Sequence, residues 1–426
     1  MRVKNLNVAV PQGASGVLAK QSQFIYTYGA DDQAEREVSL VLPSANSPFV
    51  SNVLHPIFDM NVPEGFLADQ IKRRMAKHVQ VDEMRMLSLI AGNQIGRLSY
   101  QDPLAPVEKL KAQVGLKEIL HEQHSDKIFE FLVDTYFASG ISGVQPKVLM
   151  PDLDKVGGGR KTLLASDLIV KSGADEYPGL AQNEFLCMEV ARRAGLDTPP
   201  FWLSDNGQLF VMERFDLDAG TKLGFEDMAV LMRLPKDQHD NYKYSQSYEI
   251  IAKVVHVLCG GRLAELEAFF MSFCLSVMVR NGDAHLKNFG LLYTHPGDRE
   301  SVRLSPVYDV TTTTVYPHYN PRSGQKVVDR SMALKLNKSK DYPSRQDLIT
   351  FGKNLCQIKK PDLIIERIAQ AMTEALAENK HRIAPELHLK MSAEWEAGLV
   401  AALHPAAGKG FRRKKVKLPS QENDFP

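Results

Sequence analysis

Apolar and polar side chains alternate through several short runs near the start of the chain, among them "GVLAK", "QFIYTYG" and "EVSLVLP", each bounded by turn-forming residues. A period of two between such breaks predicts short strands, so residues 1 to about 50 are expected to form a small β-rich unit. The pattern then lengthens. "LHPIFDMNVPEGFLADQIKRRMAKH" is expected to enter helix through the turn Pro63-Glu64-Gly65, and "DEMRMLSLIAGNQIGRLSY" predicts a second helix ending at Gly92. Together these make an α/β subdomain over residues 1–110, and "QDPLAPVEK", with its two prolines, reads as a linker.

From residue 125 the pattern predicts a helix ("DKIFEFLVDTYF"), a glycine-bearing loop ("ASGISGVQPK"), strands ("KVLMP", "DLIVKS") and a helix ("AQNEFLCMEVARRAG") closed by Gly195. "PFWLSDNGQLFVMERFD" is expected to be a hairpin, because two β-rich runs flank Asn206-Gly207, a pair that accepts the positive φ of a tight turn. Residues 125–224 thus form a lobe of strands with a helix. Residues 225–405 are expected to be mainly helical, interrupted at 281–315, and 406–426 to be a basic, poorly ordered tail.

A chain of 426 residues, 44% hydrophobic, is larger than one core of usual size, which agrees with two or three lobes. Its 52 basic and 51 acidic residues nearly cancel, so a surface that coats nucleic acid throughout is excluded and any such contact is local. The N-terminus carries no secretory pattern. The most apolar stretch, "FFMSFCLSVMV", falls short of the ~20 residues of a membrane helix, so no membrane partner and a cytoplasmic location are expected. Cys187, Cys259, Cys274 and Cys356 form no C-x-x-C pair and are read as reduced core thiols.

That apolar helix runs directly into "NGDAHLKNFG". Asp283 and Asn288 stand five positions apart, the spacing of base and metal ligand in a protein-kinase catalytic loop. A carboxylate there accepts the proton of a substrate hydroxyl, and an amide oxygen suits Mg²⁺. Asp309, ending the apolar run in "LSPVYDV", stands where a second metal-binding carboxylate would be. A turn role for Asp283 and Asn288 is the plainer alternative. Lys171, in "DLIVKSG", has the placement of a lysine for ATP phosphates; Glu184, on the next helix, either pairs with it or is a solvated helix-face residue. "SGISGVQPK", ending in Lys147, offers glycines to phosphates without being a Walker loop. "VMERFD" leaves the hairpin where a kinase hinge lies: Glu213 and Phe215 offer backbone groups to adenine and Asp216 a carboxylate to ribose, or the segment is only a strand end.

Taken in order, "ISGVQPK", "DLIVK", "NEFLCMEVARRAGL", "VMERFD", "NGDAHLKNF", "VYDV" and "MALKLNKSK" resemble the motifs of the HipA family of serine/threonine kinases, the toxin halves of bacterial toxin–antitoxin modules. "PIFDMNVPEGF" and "LSLIAGNQIGRL" look like that family's N-terminal subdomain. The resemblance implies an α+β, two-lobed protein-kinase-like fold of the phosphoinositide-kinase-like branch, with an N-terminal α/β subdomain and a mainly helical C-lobe. It implies Asp283 as catalytic base, Asn288 and Asp309 as Mg²⁺ ligands, Lys171 with Ser142, Gly143 and Val144 at the ATP phosphates, Glu213 and Phe215 at the adenine, and His285 and Asp216 at the ribose.

The family's regulatory serine position is occupied here by Gly140, which makes Ser142 the preferred autophosphorylation site, with Ser139 the alternative. A phosphate there would add about −2 charge to a loop meant for ATP phosphates and expel it. The implied partners are a HipB-like helix-turn-helix antitoxin, operator DNA through the antitoxin complex, and a protein substrate of aminoacyl-tRNA synthetase type. Arg412-Arg413-Lys414-Lys415 could reach DNA phosphates or remain a solvated tail. The reading is an ATP- and Mg²⁺-dependent protein kinase; its rivals are a small-molecule phosphotransferase and an inactive co-repressor scaffold.

Overall fold

Strand β1 (Asn5–Val10) turns Leu6, Val8 and Val10 inward and Asn5 and Asn7 outward, the alternation that fixes which face of a sheet is buried. It is flanked by β2 (Gly13–Lys20) and β5 (Ser99–Gln101), and β3 (Phe24–Tyr28) and β4 (Phe49–Ser51) extend the sheet in the order β4-β3-β2-β1-β5, antiparallel throughout. Pairing passes from Val8 with Gly16 to Ala9 with Ala14, so Ser15 is the extra residue of a bulge. Its hydroxyl is 2.8 Å from the Tyr26 hydroxyl and donates to the Arg36 carbonyl at 2.6 Å. The sheet's inner face packs on Met84, Leu87 and Ile90 of helix Glu83–Ile90. The structure, a computed structural model, describes residues 3–30, 33–75, 81–90, 94–104, 115–121, 161–165, 167–173, 177–236, 241–320 and 324–404.

"EVSLVLP" is not a strand, although Val38, Leu40 and Leu42 are buried as their alternation requires. Side chains satisfy this segment's backbone instead of a neighbouring strand. The Val38 N–H donates to the Tyr28 hydroxyl at 3.0 Å, the Leu42 carbonyl accepts from the same hydroxyl at 2.6 Å, and the Leu40 N–H donates to the Glu226 carboxylate at 2.7 Å. Glu226 is fully buried and also accepts from Ser39 Oγ at 2.7 Å and from the Tyr293 hydroxyl at 2.6 Å. Burial pushes its pKa above the ordinary carboxylate value.

A second antiparallel sheet has the order β6-β7-β9-β8, from β6 (Lys161–Ala165), β7 (Leu168–Ser172), β8 (Phe201–Leu203) and β9 (Leu209–Glu213). The expected β8–β9 hairpin is present with a longer connection than a two-residue turn: among its residues only Gly207 has positive φ, at +70°, and the Asn206 side chain accepts from Ser204 Oγ and from the Gln208 N–H. Both sheets belong to the first of two compact units, which takes residues 1–182, 199–240 and 292–301. The second takes 183–198, 241–291 and the chain from 302 onward.

The second unit is helical: Tyr248–Leu258, Leu263–Met278, Arg345–Asn354, Pro361–Glu378 and Pro385–Leu403. Leu263–Met278 buries Leu266 and every residue from Phe269 to Met278, so it is apolar on nearly all sides, as a core helix must be. No described helix is long and apolar enough to cross a membrane. The four cysteines are buried and free, in keeping with core thiols. The last turn of Leu263–Met278 lies against Gly398, where a β-carbon would stand 2.0 Å from the Met278 carbonyl oxygen. Helix Leu180–Arg193 closes as expected: Gly195 takes φ +79°, its N–H donates to Arg192 O at 3.1 Å, and the Leu196 N–H donates to Ala191 O at 3.0 Å.

Gly398→Ala is expected to force Pro385–Leu403 off its neighbour and lower stability by about 1–3 kcal/mol, read from chemical denaturation. For Glu226 the folded pKa lies above the unfolded value of 4.5, so the folded state holds its proton more tightly and stability falls as pH rises from about 4.5 through the raised folded value. Glu226→Gln is expected to flatten that part of a pH series of denaturation curves; an unaltered slope would count against this.

Candidate active site

The core helix Leu263–Met278 ends in a closed backbone reversal. The Arg280 N–H donates to Val277 O at 3.2 Å and the Asn281 N–H to Ser276 O at 2.8 Å, with Arg280 at φ +59°. Left-handed backbone costs a non-glycine residue about 1–2 kcal/mol. The arginine offsets this with its guanidinium 4.4 Å from the Tyr342 ring centroid and Nη2 donating to Ala397 O at 2.8 Å. Buried Asn281 then accepts the Asp283 N–H on Oδ1 at 3.0 Å. The Gly282 N–H donates to Thr313 Oγ1 at 2.7 Å, and a β-carbon at Gly282 would stand 2.7 Å from Ser331 O, so the close approach requires glycine. Tyrosine hydroxyls hold the carbonyls that follow: Tyr248 donates to Ala284 O at 2.9 Å and Tyr308 to Lys287 O at 2.7 Å.

On this loop the Asp283 side chain is half exposed, at 51%. Its Oδ1 accepts the Tyr244 hydroxyl at 2.9 Å, and His285 Nε2 lies 3.9 Å from the same oxygen. Burial pushes the His285 pKa below its ordinary value, against the pull of Asp283, so the ring is neutral at pH 7 and its approach to Asp283 is not an ion pair. The Tyr244 and His285 rings meet edge to face at 5.3 Å. Asn288 is used at both ends: Oδ1 accepts the His285 N–H at 3.0 Å and Nδ2 donates to Asp309 Oδ2 at 2.8 Å. Asp309 takes φ +60°, a backbone region that Asp tolerates better than most residues. Asp283, His285, Asn288 and Asp309 are therefore brought together in one unit.

What holds the two segments in place carries no motif in the sequence. In "VTTTTV", Thr313 receives the Gly282 N–H from the loop bearing Asp283, and its own N–H donates to Arg280 O at 3.3 Å. Thr312 exchanges two hydrogen bonds with buried Asn183, N–H to Oδ1 at 2.8 Å and Nδ2 to O at 3.0 Å. Its Oγ1 accepts from Trp395 Nε1 at 2.7 Å. The only signal in the sequence was a β-branched polar run after Asp309, which has no fixed meaning without its partners.

The hinge and lysine candidates lie in the first unit. Lys171 is buried in β7 rather than at an exposed strand end, paired across the sheet with Phe210, whose ring centroid is 5.8 Å from its Nζ. Glu213 ends β9 exposed, and its N–H already donates to Pro200 O at 2.9 Å. Phe215 is half-buried against Phe225, with ring centroids 5.4 Å apart. Asp216 differs from the ribose contact that the resemblance implies. It is fully buried, Arg214 Nε and Nη2 donate to its two oxygens at 3.0 and 2.7 Å, and the Gly96 N–H donates to Oδ2 at 2.7 Å. Both oxygens are committed to clasping the 94–97 turn, where Gln94 O also accepts from Arg214 Nη2 at 2.9 Å. Nearby, burial and the Arg214 charge lower the Lys222 pKa to about 8. Glu184, in the second unit, is buried rather than on a solvated helix face. Ser139, Gly140, Ser142, Gly143, Val144, Lys147 and the 412–415 cluster lie outside the described residues.

Among the described residues no group of three or more His, Cys, Asp or Glu side chains could hold a metal ion. Mg²⁺ needs less from a protein, binding through one or two carboxylates and completing its octahedron with phosphate oxygens and water. The Asp309 carboxylate and the Asn288 amide oxygen are hard donors of that kind, and the two side chains are joined by the bond from Asn288 Nδ2 to Asp309 Oδ2.

Residues 139–379 match the family described as the HipA-like C-terminal domain, and residues 6–101 match the HipA N-terminal domain. A protein of Sinorhizobium fredii with the provisional kinase name Y4dM is 32% identical over 195 residues, 41% of this chain and 45% of its own length. A provisionally named kinase of Haemophilus influenzae is 28% identical over 237 residues, 50% of this chain and 66% of its own. The chain thus spans between about half and two thirds of the length of these relatives. Among solved structures, a chain of the Shewanella oneidensis toxin–antitoxin complex of HipA, HipB and operator DNA superposes with a TM-score of 0.67 at 17% identity, over 93% of this chain and 96% of that one. The fold is therefore the mixed, kinase-like fold of HipA.

Thr313→Val keeps the side chain's shape and removes the acceptor of the Gly282 N–H, an expected cost of about 1–3 kcal/mol. Hydrogen exchange at the Gly282 amide should accelerate in that variant; native-like protection would show that the bond does not hold the loop.

Proposed function

Because this chain belongs to the HipA family, we propose that it is an ATP- and Mg²⁺-dependent serine/threonine protein kinase acting as the toxin of a toxin–antitoxin module. The observation that carries the reading is the Asn288–Asp309 hydrogen bond at 2.8 Å, which joins two segments remote in sequence on the loop that bears Asp283. A scaffold needs no such pairing beside a half-exposed carboxylate, whereas phosphoryl transfer needs a base and hard oxygen donors held in fixed relation.

Asp283 would orient the acceptor hydroxyl and take its proton. Bound Mg²⁺ would neutralise charge on the transferring phosphoryl group, with Asn288 and Asp309 as its protein ligands. Lys171 would supply a cation to the phosphates, and the strand exit at Glu213 and Phe215 would face the adenine. For Glu213 the backbone carbonyl is the available group, since its N–H is engaged. His285, kept neutral by burial, is suited to a hydrogen bond with a ribose hydroxyl. Asp216 would hold the hinge segment rather than touch nucleotide. Ser142, Gly143 and Val144 would form the phosphate loop, with Ser142 the autophosphorylation site.

Family membership extends the reading to partners. The Shewanella complex contains HipB and operator DNA, which supports a DNA-binding, helix-turn-helix antitoxin as partner and co-repression of an operon. An aminoacyl-tRNA synthetase is the proposed class of protein substrate, in the cytoplasm.

Asp283→Asn is expected to lower transfer of labelled γ-phosphate to protein by about 10²–10⁴-fold. Phosphoproteomics after induction of the native chain and of this variant would identify the target. Transfer at the native rate by the variant, or label found only on small molecules, would sink the proposal.

A further inference from the structure

The phosphoryl-transfer reading gives Asp283 a task and leaves its nearest neighbour without one. Tyr244 ends a short turn, Asn241–Tyr244, just ahead of helix Tyr248–Leu258, and its hydroxyl donates to Asp283 Oδ1 at 2.9 Å. That distance and sense match what a general base requires of an acceptor hydroxyl. Oδ1 is also the carboxylate oxygen that faces His285, whose backbone N–H is bound by Asn288.

The ring is held independently of the hydroxyl. It meets His285 edge to face at 5.3 Å, and the ammonium groups of Lys243 and Lys340 lie 5.3 and 5.9 Å from its centroid. Cation–π contacts of this kind and the aromatic pair hold the ring in place with no help from the O–H. These contacts engage the ring face and edge, while the hydroxyl is given to Asp283.

We propose that Tyr244 is a specificity-determining residue of the acceptor site: its hydroxyl holds the acceptor's place at Asp283 Oδ1, so that a bound protein hydroxyl displaces it and free water does not. This rests on the phosphoryl-transfer reading. In the transfer step the acceptor O–H gives its proton to Asp283 while its oxygen bonds to the γ-phosphorus of ATP. The bond from that phosphorus to the bridging oxygen breaks, and its electron pair leaves with ADP. Water satisfies the same balance and would spend ATP without modifying a protein. A protein substrate brings binding energy from its other contacts and can use it to dislodge the tyrosine; a water molecule brings none.

The test is ATP hydrolysis by the full chain with Mg²⁺ and no protein substrate. Tyr244→Phe is expected to raise the rate about tenfold, the effect of losing one hydrogen bond to a charged group. The KM for ATP should be unchanged, and adding Asp283→Asn to the variant should remove the gain. Tyr244→Leu, compared by thermal melting with the native chain, should shift the rate the same way. Hydrolysis unchanged or slower in both Tyr244 variants would overturn the inference, as would native chain carrying phosphate on Tyr244, which would make it an acceptor. If Asp283→Asn alone hydrolyses ATP like the native chain, the phosphoryl-transfer reading fails first and takes this inference with it.

Discussion

A helix buried on nearly every side cannot leave its end to water, and the geometry of the site follows from how Leu263–Met278 meets that demand. Its last carbonyls and the amides that follow need partners inside the protein. The left-handed Arg280, the Asn281 amide, Thr313 Oγ1 and the Tyr248 and Tyr308 hydroxyls supply them one after another. The result is a loop whose backbone is tied down while the Asp283 side chain stays half exposed. Placing a polar loop after so apolar a helix is thus a way to fix the position of a carboxylate: the anchor is the core itself, and the loop inherits its rigidity.

The same logic extends to the segment around Asp309. Thr312 and Thr313 tie it to Asn183, Trp395 and the loop bearing Asp283, so a change at either side of the bracket reaches both. Preorganised sites depend on such supports, because groups that must wait in position for charge to develop cannot be held by the reacting molecules. Positive φ at Arg280 and Asp309 marks where the backbone is bent to make this possible.

Much of this was legible in the sequence. The helix–loop boundary at 281, the spacing of Asp283 and Asn288, the hairpin at Asn206-Gly207 and the Gly195 cap depend on neighbours close in the chain, and local chemistry announces them. What was not legible depends on partners far away. "EVSLVLP" alternates like a strand yet finds its hydrogen bonds on Tyr28 and on Glu226, nearly two hundred residues on. Asp216 matched a nucleotide-binding pattern, but its oxygens belong to Arg214 and Gly96. Glu184 follows the periodicity of a helix face with no hint that the face is buried. Asn183 and the threonine run were invisible because an amide bridging a backbone has no signature of its own.

The Arg214–Asp216 clasp also bears on how such motifs are used to sort relatives. A buried ion pair that loses one partner leaves an uncompensated charge in the interior, typically a loss of about 3–5 kcal/mol. Loss of Arg214 or Asp216 alone would therefore weaken the fold whatever the chain does, so their presence in a relative speaks to its architecture rather than to turnover. Under the proposed function the informative letter is a different one, the half-exposed aspartate at 283.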